Sequence, residues 1–203
     1  MPRLSTTRKK LLTKMMKEAI YEAAVSVLAE HGVEGTTMDR LASAANLAKG
    51  SLYSYFDGKQ DLLQFVHARA IDPIVKAVDK VIRAEMSATA KLEVMLHLVF
   101  DQLATHHELF KLLLKDDVRV LLEPSSRTAR EIAVGQYAAV FRQGIDEGLF
   151  RPFDPMQLAE MFVGAMAGLW RRSLATGQFR QAQQVSETLL SVFLHGVAAP
   201  ANP

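Results

Sequence analysis

The run Lys49-Gly50-Ser51-Leu52-Tyr53-Ser54-Tyr55-Phe56 places one ammonium, two serine hydroxyls and two phenols around a glycine. At helical spacing Leu52 and Phe56 fall four apart and form a buried stripe, leaving Lys49, Gly50, Ser51, Tyr53, Ser54 and Tyr55 around the remaining surface. That surface suits DNA: a lysine and hydroxyls reach phosphates, small residues let the backbone approach base edges, and a tyrosine offers both a ring and a hydroxyl. The other polar clusters are weaker. His97 and Asp101 lie four apart on one helical face, with His106 and His107 beyond them, but the third and fourth ligands of a metal site are missing. Arg171 and Arg172 suit a solvated helix end, and Asp116 and Asp117 a solvated face. No nucleophile stands with a base at recognisable spacing, no glycine loop is built to cradle phosphate, and the chain has no cysteine. The expectation is therefore a binding protein and not an enzyme, with no catalytic residue, metal or cofactor.

The elements needed to position that surface are legible on both sides of it. Residues 33–63 read as two short helices joined by a tight turn and followed by a third helix start, a helix-turn-helix. Thr36 or Thr37 can cap the first helix, Asp39 adds a negative charge to its first turn, and Leu41, Ala42 and Ala45 face inward. Asn46 sits at the reversal, where asparagine tolerates the left-handed conformation. The next helix, over 48–56, has about two turns, too few for stability without neighbours. A preceding helix of about twenty residues is marked by Leu12, Met16, Ile20, Ala23, Ala24, Val27 and Leu28 and ends at Gly32.

The Thr36-Thr37-Met38-Asp39-Arg40-Leu41-Ala42 run, the Lys49–Phe56 run and the Lys59-Gln60-Asp61-Leu62 helix start together resemble the TetR family of bacterial transcriptional regulators, over roughly residues 11–65. The resemblance implies an all-α protein with an N-terminal three-helix DNA-binding domain and a C-terminal helical bundle for ligand binding and dimerisation. The division is placed at 1–60, including a basic N-terminal arm, and 61–203. The second helix of the pair would be the recognition helix. Thr37, Ser51, Tyr53, Tyr55 and Lys59 would stand at phosphate-contacting positions, and Lys49, Gly50 and Ser54 nearer the bases, with Thr36 included as the alternative cap. Ala48 replaces the usual capping hydroxyl and Gly58 a usual capping Asn or Ser.

Charge supports a polyanionic partner. The net value is +2, yet the first 59 residues hold nine Lys/Arg against six acids while the rest hold fifteen against sixteen. Six basic residues precede the first acid, Glu18, as in a segment lying against nucleic acid. Residues 1–10 read as a flexible arm. They are polar and basic, unlike a signal peptide, and the longest apolar window, 161–170, is too short to span a bilayer, so a cytoplasmic location is expected.

Beyond Phe56 the apolar periodicity predicts a long helix over 59–85, kinked or broken near Pro73, then helices over 92–106, 107–122, 126–147, 155–177 and 180–197. Pro124 is read as stopping the second of these, Leu149 as packing at a glycine C-cap, and Asp154-Pro155 as a strong helix start. The 155–176 stretch is apolar nearly all round and needs cover on two sides. One side would face its own core, and the other the last helix, with Val185, Leu189, Val192 and Phe193 as a matching stripe, together with a second subunit. Family resemblance implies such a homodimer through the last two helices, reading a near-palindromic operator, and a small-molecule pocket in the middle helices. The candidate pocket residues are Met95, Val99, Leu103, Tyr137, Phe141, Phe162, Met166 and Trp170, with Leu92, Leu96, Met161 and Ala165 nearby. This lining suits a bulky apolar ligand and equally an ordinary core.

The function expected from all of this is a sequence-specific DNA-binding transcriptional regulator, a repressor released from its operator by a small, largely apolar ligand. A regulator without a ligand, or a helical carrier or enzyme that keeps the helix-turn-helix only for packing, are the alternatives.

Overall fold

A computed structural model describes residues 6–113 and 116–197. Among these it contains ten helices and no β-strand: α1 Thr6–Gly35, α2 Met38–Ala44, α3 Lys49–Tyr53, α4 Lys59–Arg83, α5 Ala88–Thr105, α6 His107–Leu113, α7 Asp116–Leu121, α8 Glu123–Asp146, α9 Pro155–Thr176 and α10 Phe179–Val197. They form two compact units, one of residues 1–70 with 111–126 and the other of 71–110 with 127–203. None of the described helices is long and apolar enough to cross a membrane.

In the first unit, α1 buries Ile20, Ala24, Val27 and Leu28 against a core that includes Leu41, Leu52, Phe56, Leu62, Leu63 and Val66. Most residues predicted to face inward at 3.6-residue spacing supply this core, but Met16, Ala23 and Ala45 are only half-buried and Leu12 is exposed. Helical geometry in α1 fails at Gly32, with φ 64°, a left-handed value that costs glycine little. The helix begins at Thr6, so residues 6–10 are not the irregular arm expected from their composition. Residues 1–5 lie outside the described part. Glu18 takes a two-pronged ion pair from Arg69 at 2.9–3.1 Å, joining α1 to α4. Gln64 donates to the Leu121 carbonyl at 3.2 Å, which holds α7 to α4.

In the second unit a polar network fixes the helix ends around an apolar interior. Ser87 caps α5 by accepting from the Ala90 amide at 3.3 Å, which starts this helix four residues earlier than the apolar pattern predicts. Buried Lys91 spends its ammonium on the Ile82 carbonyl near the end of α4 and on Gln143 of α8, at 2.7 and 2.8 Å. Glu147 accepts from Gln143 and from the Ala88 amide, and these bonds hold its carboxyl below the usual range. A buried charge with several partners avoids most of the desolvation cost an isolated one would carry.

The structure alters or narrows four expectations about the helices. Pro73 does not break α4, which runs continuously from Lys59 to Arg83. Pro124 lies in the first turn of α8, where its missing N–H costs no intrahelical bond, so it opens that helix. At the other end of α8 it is Phe150, 4% exposed, that packs, whereas Leu149 is 42% exposed. The region expected as one helix over 107–122 contains α6 and α7, with residues 114 and 115 between them outside the described part. Asp154 caps α9 through the Met156 and Gln157 amides, at 2.7 and 3.2 Å, and Gly177 ends it in the left-handed conformation.

Candidate nucleic-acid interface

Two devices set the geometry between α2 and α3. Thr37 caps α2, its hydroxyl accepting from the Arg40 amide at 3.3 Å. At the far end Asn46 takes φ 53°, and the Leu47 and Asn46 amides return to the Ala42 and Ser43 carbonyls at 2.8 and 3.1 Å. This pair of bonds is a Schellman-type closure, and it satisfies carbonyls that the end of α2 would otherwise leave bare. The turn is therefore fixed in direction by one left-handed asparagine.

The second helix is shorter than the apolar pattern suggests. Regular helix covers Lys49–Tyr53, and Tyr55 and Phe56 then both donate to the Leu52 carbonyl, at 3.0 and 3.1 Å. Ala48 provides no side-chain cap. The helix is held by burial instead, with Leu52 and Phe56 at 0% and 2% exposure. Lys49 also pairs with Asp39 of α2 at 2.7 Å, a contact between exposed side chains that raises the lysine pKa. Such a pair is worth little in stability, and it leaves the ammonium at the surface between the two helices.

Lys49, Gly50, Ser51, Tyr53 and Ser54 are all exposed on one short helix and its C-cap, while Tyr55 is half-buried beside them. The Ser54 hydroxyl donates to the Ser51 carbonyl at 2.6 Å. A Cβ added at Gly50 would meet nothing within 4 Å. Nothing inside the fold therefore requires glycine here. Lys59 stands at the start of α4, half-buried, with its ammonium donating to the Val33 carbonyl. Asp61 of the same turn accepts from the Asp57 amide at 3.1 Å, so the helix start is capped despite Gly58.

Thr36 leaves the candidate set. It is completely buried, and its hydroxyl donates to the Gly32 carbonyl at 2.6 Å. It closes the reversal after α1 and has no surface to offer a phosphate. Adjacent threonines look equivalent in sequence; which of them faces out depends on the Gly32 turn. A contact without a signal in the sequence is that of Lys17, whose ammonium lies 5.3 and 5.4 Å from the ring centroids of Phe56 and Phe65.

Residues 20–66 match the model of "Bacterial regulatory proteins, tetR family". The matched segment runs from within α1 through α2 and α3 into α4. Over 90% of its length it is 25% identical to the HTH-type transcriptional repressor KstR2 of Rhodococcus jostii, covering 91% of that protein. Its fold is similar to a TetR transcription regulator from Haloarcula marismortui, with a TM-score of 0.79 at 20% identity over 92% of this chain and all of the other. It is also similar to SmeT, solved in complex with triclosan, with a TM-score of 0.77 at 19% identity over 92% and 93% of the two chains.

The candidate pocket residues belong to the second unit. Tyr137, Phe141 and Phe162 form a ring cluster with Phe193, at centroid separations of 5.0–5.9 Å. Trp170 instead meets Phe100 and Phe110 edge-on, at 6.3 and 6.4 Å. Met95 and Met166 are buried, Val99 and Leu103 partly so, and Met161 is 65% exposed and so points away from any interior lining. Phe193, placed from sequence in the stripe of the last helix that covers the 155–176 helix, packs on Phe162 of α9 and Phe141 of α8. The Tyr137 hydroxyl is buried with no hydrogen-bond partner among the protein atoms, and burial pushes its pKa well above the usual range. His97 lies 3.9 Å from Glu187 of α10. No group of three His, Asp or Glu assembles a metal site among the described residues.

Proposed function

We propose that this protein is a transcriptional repressor that binds DNA as a homodimer and is released by a small, largely apolar ligand. DNA reading is assigned to residues 1–60, and ligand binding and dimerisation to 61–203, in a cytoplasmic protein that is not an enzyme. The observation that carries the reading is the α3 surface: Lys49, Gly50, Ser51, Tyr53 and Ser54 stand exposed on a helix fixed by Leu52, Phe56 and the Asn46 turn. Thr37, Tyr55 and Lys59 flank it and complete the proposed phosphate contacts. KstR2 is named a transcriptional repressor, which supports that direction of control.

Dimerisation is supported by an apolar outer surface on the last two helices. Met161 of α9 and Val192 of α10 are 65% and 68% exposed, and Gly164 and Gly168 have open space where a Cβ would be. Small residues beside exposed apolar ones allow two helix pairs to approach closely. Two-fold pairing would then present two α3 helices to a palindromic operator.

For the ligand, Met95, Val99, Leu103, Tyr137, Phe141, Phe162, Met166 and Trp170 remain the proposed lining, supported by their apolar character and by the triclosan complex of SmeT. Release requires the ligand to prefer the shape that binds DNA poorly; a coupling of about 1–3 kcal/mol corresponds to roughly 5- to 150-fold. The close ring packing of Tyr137, Phe141, Phe162 and Phe193 favours a second reading, a regulator with no small-molecule ligand.

The test is fluorescence anisotropy against DNA flanking the protein's own gene, at two salt concentrations and with excess nonspecific competitor. Tight, competitor-resistant binding is expected. No binding by folded protein would overturn the reading in favour of a carrier or enzyme. Apolar compounds are then titrated into the complex, and a set that never alters affinity would select the ligand-free alternative.

A further inference from the structure

The segment of α1 that precedes the family match carries a lysine stripe with a fixed direction. Lys10, Lys14 and Lys17 are spaced by four and three residues, so they lie on one face of a continuous helix. Lys17 fixes where that face points. Its ammonium sits over the rings of Phe56 and Phe65, and Phe56 directly follows the reading helix, its amide still bonded to the Leu52 carbonyl at 3.1 Å. The stripe thus starts beside the end of α3 and continues along α1 for about 10 Å, at a rise of 1.5 Å per residue.

Lys10 and Lys14 are exposed. No acid precedes Glu18 in the chain, and Glu18, one turn beyond Lys14, is held by both prongs of Arg69. A row of ammonium groups without acids among it, on one helix and running away from a DNA-reading element, complements one common partner surface. That surface is the sugar-phosphate backbone, which carries regularly spaced negative charge.

We propose that Lys10 and Lys14 form a second DNA-contact site, gripping backbone phosphates outside the bases read by α3. The proposal rests on the DNA-binding reading given above. Such contacts add affinity without sequence preference, because phosphates carry no base identity. They also appear in salt dependence, since each neutralised phosphate releases condensed counterions.

The experiment compares wild type, Lys10→Ala/Lys14→Ala and Lys76→Ala/Lys80→Ala on a mixed-sequence duplex over a series of KCl concentrations. Lys76 and Lys80 are exposed lysines of α4, and removing them costs the same formal charge. Loss of two phosphate contacts should flatten the slope of log K against log salt by about 1.8 per protomer. The Lys76/Lys80 variant should keep the wild-type slope. On a sequence selected by the wild type, the Lys10/Lys14 variant should retain its discrimination between that sequence and random DNA. An unchanged slope in the Lys10/Lys14 variant, or an equal change in both variants, would overturn the second site while leaving the α3 assignment intact. A wild type with no salt-dependent binding would instead remove the DNA-binding reading itself.

Discussion

Lys59 donates from Nζ to the main-chain carbonyl of Val33 at 2.6 Å, a bond that spans 26 residues and joins the first turn of α4 to the chain just beyond the Gly32 break. The same residue was assigned a phosphate from sequence. Both uses are compatible because an ammonium has three donors, and anchoring one of them reduces the freedom lost on binding. Lys59→Met should therefore have two effects. Stability should fall by about 1–3 kcal/mol, because the Val33 carbonyl loses a charged partner. DNA affinity should also fall. Urea denaturation and anisotropy on the same preparations separate these, and unchanged stability would show that the Val33 bond contributes little.

Gly50 offers the opposite pairing of effects. It lies within α3 with no neighbour where a Cβ would be, and alanine in a helix is favoured over glycine by roughly 1 kcal/mol. Gly50→Ala should make the protein slightly more stable and a weaker DNA binder. Thermal melting and anisotropy check the two halves. A variant that binds DNA as well as wild type would remove Gly50 from the proposed base-facing set. Tyr53→Phe, at an exposed side chain, should weaken binding with no change in melting.

Gly144 and Phe150 show a different use of glycine. A Cβ at Gly144 would overlap the Phe150 ring and press on the Ala88 side chain. The amides of Leu149 and Phe150 both bond to the Gly144 carbonyl, at 2.9 and 3.0 Å, so backbone and ring are fixed together. Gly144→Ala should cost about 1–3 kcal/mol by overpacking. Gly135, on the same helix with open space around it, provides the control. If Gly135→Ala lowers the denaturation midpoint as much as Gly144→Ala, the close approach is not the cause.

How much could be read in advance follows the range of each interaction. Leu52, Phe56, Leu41 and Asn46 are positioned by local periodicity and local turn chemistry, so sequence placed them well. Thr36 was misassigned because the answer depends on which face a turn presents after packing. Lys91 shows no local signal at all: it sits at the start of α5, and its burial follows only from Ile82 and Gln143 converging on it. Pro124 was read as a stop because proline ends one helix and begins another with the same chemistry, and only the neighbouring cap decides between them. The α3 surface was legible because its exposed residues alternate with two buried ones over a single short stretch.

His67 gives the protein a pH dependence that can be isolated. It is 5% exposed on α4, its Nδ1 has no hydrogen-bond partner, and burial lowers its pKa from 6.5 to about 4. The folded state thus holds the neutral ring down to about pH 4, whereas the unfolded chain takes up a proton near 6.5. Between those values the unfolded state binds more protons, so stability falls as pH falls. The contribution is fully present above pH 6.5 and is lost on approaching pH 4, amounting to roughly 3 kcal/mol over the interval. Replacing His67 by Leu removes the titrating group while keeping an apolar side chain in the core. Denaturant midpoints measured at pH 7 and pH 5 should differ less in His67→Leu than in wild type. Equal pH sensitivity of the two proteins would mean that the acid-sensitive groups lie elsewhere.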